Sequence, residues 1–246
     1  MTDKAVYIGM SGASNSMHQL EILTNNLANV NTTGFRADYE MMNQAPVGKN
    51  GSQETRVFST MGGTYTDFQN GPILSTGRDL DVALQGPGFI AVQGQGGKEA
   101  YTRAGSLQID NGTLVTKNGE LVLGNGGVIN IPAADKIDIA ADGTISARLK
   151  GAKEMVVLDR IKLVSTKTSD LQKGADGAFY SVSGAPIKPD PLIRLTHGAL
   201  EGSNVNAVET LTKLIELSRH FEVHTNVMKA VQDDTTKANE ILNISH

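Results

Sequence analysis

The sequence predicts a mixed, mainly β protein: an antiparallel β domain inserted between N- and C-terminal α-helices that pair as a coiled coil. Helical periodicity is confined to the two ends, Asn-Gly turns recur between short apolar runs in the middle, and neither Gly nor Pro follows Gly202. The expected division is an N-terminal assembly helix over 1–35, then an extended connector with a possible β-hairpin over 36–75. A β-rich domain over 76–197 and a C-terminal assembly helix over 198–246, paired with 1–35, complete it.

Residues 5–30 contain no Pro. Met10, Ala13, Met17, Leu20, Thr24 and Leu27 step by three and four, and Ile22, Leu23 and Val30 widen the stripe. Such a helix is roughly 39 Å long. Gly9 and Gly12 weaken its start but allow a second helix to come close. Gly34 suits the left-handed position that ends a helix, with Phe35 as the apolar residue just beyond. Asn25, Asn26 and Asn29 form helices poorly; either their amides are solvated, or they hydrogen-bond an adjacent helix.

Over residues 36–75, Pro46, Gly48, Gly51, Gly62, Gly63, Gly71 and Pro72 punctuate short apolar pieces, with a strand or hairpin expected around 55–68. From Leu80 a two-residue alternation begins: Leu80, Val82 and Leu84 on one face, Asp79, Asp81 and Ala83 on the other. Asn111-Gly112, Asn118-Gly119 and Asn125-Gly126 separate apolar runs and predict a meander of short strands. Asp142-Gly143 and the runs at 155–158, 160–164, 179–182 and 191–195 extend the β region.

At the far end, Asn204 or Asn206 can cap a helix, and Asn206 with Glu209 has capping-box spacing. A seam then runs through Leu214, Leu217, Phe221, His224, Met228, Val231, Thr235, Ala238 and Leu242. Val208, Leu211, Ile215 and Ile241 form a second stripe. A helix with two apolar stripes has more than one helical neighbour to bury against.

Composition narrows function by exclusion. Lys plus Arg is 22 and Asp plus Glu 26, a net charge of −4 that gives no electrostatic case for nucleic acid. Trp is absent and only 5 Tyr and 6 Phe are present, which disfavours stacking platforms for bases or sugars. With no Cys there is no disulfide, thiol catalysis or Cys-ligated zinc. No apolar run is long enough to insert in a membrane, and the start lacks a cleavable secretory signal.

Catalytic candidates are weak. His220 and His224 are four apart, but Glu222 does not directly follow the first histidine as a zinc-protease helix requires. His224 also falls on the apolar seam, which favours packing over metal ligation. Asp79 and Asp81 share a strand face, yet Arg78 can neutralise one of them. Gly94, Gly96 and Gly97 form a turn rather than a phosphate loop, and no nucleophile elbow is present. No catalytic residue, cofactor, metal or small-molecule substrate is expected.

Five ordered stretches then carry a resemblance: TNNLANVNTTGFR (24–36), STGRDLDVALQGPGFIAVQ (75–93), YTRAGSLQIDNGTLVTKNGELVLG (101–124), IAADGTIS (139–146) and GALEGSNVNAVETLTKLIELSRHFEVHTNVMKAVQDD (198–234). The chain resembles the flagellar rod and hook family of axial proteins over nearly its whole length. Within it, the length and the wording of GALEGSNVNAVE are most similar to proximal rod subunits, with distal rod or hook-type subunits the alternative. The resemblance implies a non-enzymatic structural protein of the bacterial basal body. It also implies passage through the flagellar type III export apparatus without a cleaved signal peptide, and polymerisation in the periplasm with itself and other rod subunits. The terminal helices then form the tubular inner core, the β domain lies outside it, and exported subunits travel through the lumen.

The expected subunit contacts are Leu20, Leu23 and Leu27 packed by Leu214, Leu217, Phe221, Met228 and Val231, with Leu211 beside them. Asn25, Asn26, Asn29 and Asn31 would recognise neighbours, and Gly34 and Phe35 would close the stretch. Before assembly such helices would fold only on binding. Two other classes remain open from the sequence: a β-rich adhesion or carbohydrate-binding module, and a metal hydrolase on His220 and His224.

Overall fold

The computed structural model describes residues 2–46 and 57–244. Residues 55 and 56 of the expected hairpin, the turn residues Gly48 and Gly51, and the side chains of Ala238, Ile241 and Leu242 lie outside the described residues. The chain forms two compact units, each discontinuous in sequence: unit 1 holds Met1–Ala28, Ala37–Asp67 and Val205–His246, and unit 2 holds Asn29–Arg36 and Phe68–Asn204.

Unit 1 consists of helix α1 (Thr2–Ala28), a two-stranded sheet of β1 (Asp38–Pro46) and β2 (Val57–Thr66), and helix α2 (Ala207–Ile244). The expected connector is thus largely a hairpin, and its first strand begins only ten residues after α1 ends. β1 and β2 pair antiparallel, Asp38 opposite Thr66 and Tyr39 opposite Tyr65, with a bulge between Glu40 and Met42.

In unit 2, the chain runs through β3 (Ile73–Ser75), β4 (Val82–Gln85), β5 (Phe89–Gln93) and β6 (Glu99–Thr102). It continues in β7 (Leu107–Asp110), β8 (Thr113–Thr116), β9 (Leu121–Gly124) and β10 (Gly127–Val128). β11 (Ala134–Ile139), β12 (Thr144–Leu149) and β13 (Val156–Arg160) form an antiparallel three-stranded sheet. β14 (Leu163–Val164), β15 (Leu171–Lys173), β16 (Phe179–Ser181), β17 (Arg194–His197) and β18 (Ala199–Glu201) close the unit. The largest sheet has the order β15-β16-β6-β5-β9-β8-β7, with β10 on β9 and β14 on β5. β17 returns to β4, and β18 to β3.

The turns follow their residues. Asp110 pairs with Thr113, so Asn111-Gly112 is a two-residue loop, and both have positive φ (49° and 79°), as a type I′ turn requires. At the β11–β12 hairpin Asp142 accepts from the Thr144 amide (3.0 Å) and hydroxyl (2.8 Å), which fixes the turn before β12.

Two apolar clusters sit on opposite faces of β5. Ile90 and Val92 join Leu107, Leu114, Val122, Ile129 and Ile145, whereas Phe89 and Ala91 join Tyr101, Val164, Leu171 and Phe179. A strand covered on both faces has no polar side, which is why residues 89–92 read as a continuous apolar run. β4 departs from the expected alternation for the same reason: Val82, Ala83 and Leu84 are all buried. Asp79 is exposed while Asp81 is buried, bonded by Thr76 Oγ1 (2.7 Å) and facing Arg78 (3.3 Å). The two carboxylates therefore do not form a pair.

Candidate assembly site

In unit 1, α1 and α2 run antiparallel. Gly9 lies against Met228 and Gly12 against the His224 ring, where an added Cβ would come within 2.7 Å and 2.5 Å. The absent side chains on α1 thus make room for two large ones on α2. Among the α1 residues of described burial, Gly9, Ala13, Ser16, Leu23 and Asn26 are buried, while Met10 (56% exposed) and Met17 (57%) face outward. Of the expected stripe, Ala13 and the flanking Leu23 are buried and Leu20 and Leu27 half-buried, whereas Met10, Met17 and Thr24 are exposed, so the seam is rotated by about one residue from it. On α2 the expected seam is the inner face: Leu214, Leu217, Phe221, His224, Met228, Val231 and Thr235 are all half-buried.

The start of α2 is capped by Asn206, whose Oδ1 accepts from the amides of Val208 (3.1 Å) and Glu209 (3.3 Å). Glu209 turns forward instead of completing a capping box: its carboxylate meets Lys213 Nζ at 2.6 Å and holds that ammonium above its ordinary pKa. Lys213 also lies 5.8 Å from the Tyr39 ring, which stacks on Tyr65 at 5.6 Å. Lys213, Tyr39 and Tyr65 border a groove of about 340 Å³ shared with Leu23, Leu217 and His220. Glu40 lines it too, and its Oε2 is buried without a hydrogen-bond partner.

Asn26 serves the fold directly. Its Nδ2 donates to the Asp38 carbonyl (2.7 Å) and its Oδ1 accepts from the Asp38 amide (3.0 Å), so one side-chain amide completes the edge of β1. Its neighbour is a strand and not the helix that was expected. Of the other expected contact residues, Leu20 and Leu27 are half-buried, Asn25 and Asn31 exposed, and Asn29 half-buried. Exposed apolar side chains remain on α2 at Val208 (74%), Leu211, Ile215, Val223 and Val227.

In unit 2 the expected helix stop at Gly34 has another role. α1 ends at Ala28, too early for Gly34 to cap it. Gly34 has φ 71°, donates to the Glu201 carbonyl (2.8 Å), and an added Cβ would lie 2.3 Å from the Arg103 carbonyl carbon. Phe35 is half-buried beneath Lys173, whose Nζ is 4.1 Å from the ring and donates to the Arg36 carbonyl (2.8 Å).

Next to them is a buried ionic network that sequence reasoning missed. The Glu201 side chain is 1% exposed; its Oε1 accepts from Arg36 Nη2 (2.5 Å) and the Gly71 amide (3.1 Å), and its Oε2 from Arg103 Nη1 (2.9 Å). Asn70 Oδ1 accepts from both arginines, and Arg103 Nη2 donates to the Gly86 carbonyl. The only signal in the sequence was that Arg36, Arg103 and Glu201 sit inside three of the quoted stretches. Among the described residues no three His, Asp or Glu side chains are grouped to hold a metal, and no helix is long and apolar enough to cross a membrane.

Fold and site together define a helix-paired, β-rich chain with an open apolar helical surface. Family comparisons match "Flagella basal body rod protein" at residues 6–36, "Flagellar hook protein FlgE/F/G D1 domain" at 83–147, and "Flagellar basal body rod FlgEFG protein C-terminal" at 196–241. The flagellar basal-body rod protein FlgF of Escherichia coli is 39% identical, covering 99% of this chain and 100% of its own; that of Salmonella typhimurium is 38% identical with the same coverage. FlgG of Bacillus subtilis is 32% identical, over 92% of this chain and 94% of its own. The chain belongs to the flagellar basal-body rod protein family.

Proposed function

We propose that this chain is a structural subunit of the proximal rod, polymerising through its terminal helices to form part of the drive shaft and export lumen that serve motility. In the assembled rod α1 and α2 act as a coiled coil. The partners are further copies of the chain, other proximal and distal rod subunits, and the export apparatus that delivers it to the periplasm without a cleaved signal peptide. No catalytic step enters this reading.

The observation that carries it is the unequal covering of α2. Its seam is half-buried by α1, yet Val208, Leu211, Ile215, Val223 and Val227 face outward on the same helix. Burying one such side chain is worth about 1.5–3 kcal/mol, so the open surface favours association. Growth by a contact between unlike surfaces yields a helical tube. The groove beside Tyr39 supports the same view, since a donor from a neighbouring subunit would satisfy Glu40. The FlgF proteins of Escherichia coli and Salmonella typhimurium, at 39% and 38% identity, stand above the 32% of Bacillus subtilis FlgG, which favours the proximal over the distal rod.

The test is Leu211→Asp with Ile215→Asp in a strain lacking the proximal rod subunit. The wild-type chain should restore swimming there. The variant should keep its circular dichroism and melting profile while swimming and incorporation into isolated basal bodies are lost. Normal swimming by the variant would refute the proposal.

A further inference from the structure

The buried network in unit 2 has an imbalance: two guanidinium groups, 0% and 4% exposed, share one carboxylate. Arg36 meets Glu201 across 165 residues of sequence, and Arg103 meets it across 98. A buried charge that loses its counter-charge is strongly unfavourable, and Glu201 is the carboxylate that both arginines meet.

Arg36 follows α1 closely in sequence and Glu201 shortly precedes α2. The segments that carry them are also joined by backbone bonds, Gly34 N to Glu201 O (2.8 Å) and Asn204 N to Phe35 O (3.4 Å). β18 brings Glu201 in by pairing with β3, opposite Ile73, and Gly202 N then bonds the Pro72 carbonyl (2.8 Å).

We infer that Glu201 is a register lock, fixing the segment that leaves α1 only when the segment that enters α2 is in place. Arg36 and Arg103 are its positioning partners. The 29–36 segment cannot seat its arginine in the interior until β18 supplies the counter-charge. An apolar contact would tolerate a slipped register, whereas the two oxygens of one carboxylate here receive Arg36 Nη2, the Gly71 amide and Arg103 Nη1 from three separate segments, which one register alone brings together. The two segments therefore close as one event and open as one event.

Amide exchange on the full chain, followed by NMR, tests this with Glu201→Gln. That substitution keeps the size and the backbone bonds and removes the charge. Exchange at Gly34 and Gly202 should accelerate together, by about tenfold or more beyond any change at Val92 in the sheet. Leu114→Ala, a core variant remote from the lock, should accelerate all three in parallel. Should Glu201→Gln fail to accumulate, Arg36→Met, which keeps most of the length but removes the charge that Glu201 holds, should show the same joint loosening. The inference is overturned if Gly34 and Gly202 move no further than Val92, if only one of them loosens, or if Leu114→Ala loosens that pair selectively.

Discussion

At Gly34 two separate constraints fall on one residue. The positive φ costs a side-chain-bearing residue about 1–2 kcal/mol, and any Cβ overlaps the Arg103–Ala104 backbone, which cannot step aside as a flexible side chain would. Gly77 has nearly the same φ, 70°, but nothing within 4 Å of an added Cβ. Gly77→Ala should therefore cost about 1 kcal/mol and Gly34→Ala clearly more, about 2 kcal/mol or above, by urea titration. Equal losses would remove the close-approach argument. Glu120 carries a second prediction at this scale. Burial raises its carboxyl above the ordinary 4.5, opposed by the bond from Thr116 and reinforced by the Asp176 carboxylate. The folded chain holds this proton more tightly than the unfolded one, so its contribution is complete below pH 4.5 and disappears as pH rises through the folded value. Glu120→Gln should therefore melt above the wild type at neutral pH, with the gap closing in acid. A variant that melts lower at neutral pH would contradict the assignment.

The helices show how far pattern alone reaches. On α2 the step of three and four through Leu214, Leu217, Phe221, Met228 and Val231 picks out the inner face, because large side chains there do the packing. On α1 the same rule selects Ala13, which is buried, but also Met10 and Met17, which face outward. The close approach to α2 is made at Gly9 and Gly12, which the sequence marks by their small size and which a hydrophobicity scale does not register. The Asn111-Gly112 turn was legible for the opposite reason: a positive φ at two successive positions has few residues to choose from, and Asn-Gly announces it. Ala13→Glu should lower helix content by forcing a carboxylate into the close contact with α2. Met17→Glu should leave stability within about 0.5 kcal/mol, since its side chain is already solvated. Far-ultraviolet circular dichroism separates the two, and loss of helix in Met17→Glu would restore the seam that hydrophobicity selects.

For the whole chain, what stayed hidden in the sequence is its division. Residues 29–36 belong with the β strands and 37–67 with the helices, and no Gly or Pro marks the change between Arg36 and Ala37. The mark is a charged residue whose partner comes 165 positions later, and a lone arginine in sequence looks like a solvated one. The two units also differ in how they are held. Among residues of described burial, unit 1 has only Ala13, Leu23 and Ala37 as buried apolar residues, whereas unit 2 has two clusters built on both faces of β5. Stability follows buried apolar area, so unit 1 should open first. Heating the purified chain should give two transitions, the lower one dominated by loss of helical signal. Leu214→Asp with Phe221→Asp places two carboxylates on the half-buried seam and should abolish the lower transition while the upper one keeps its midpoint. Calorimetry with circular dichroism on both proteins decides it: a single cooperative transition in the wild type, or loss of the upper transition in the variant, would mean that the helices and the β unit stand or fall together.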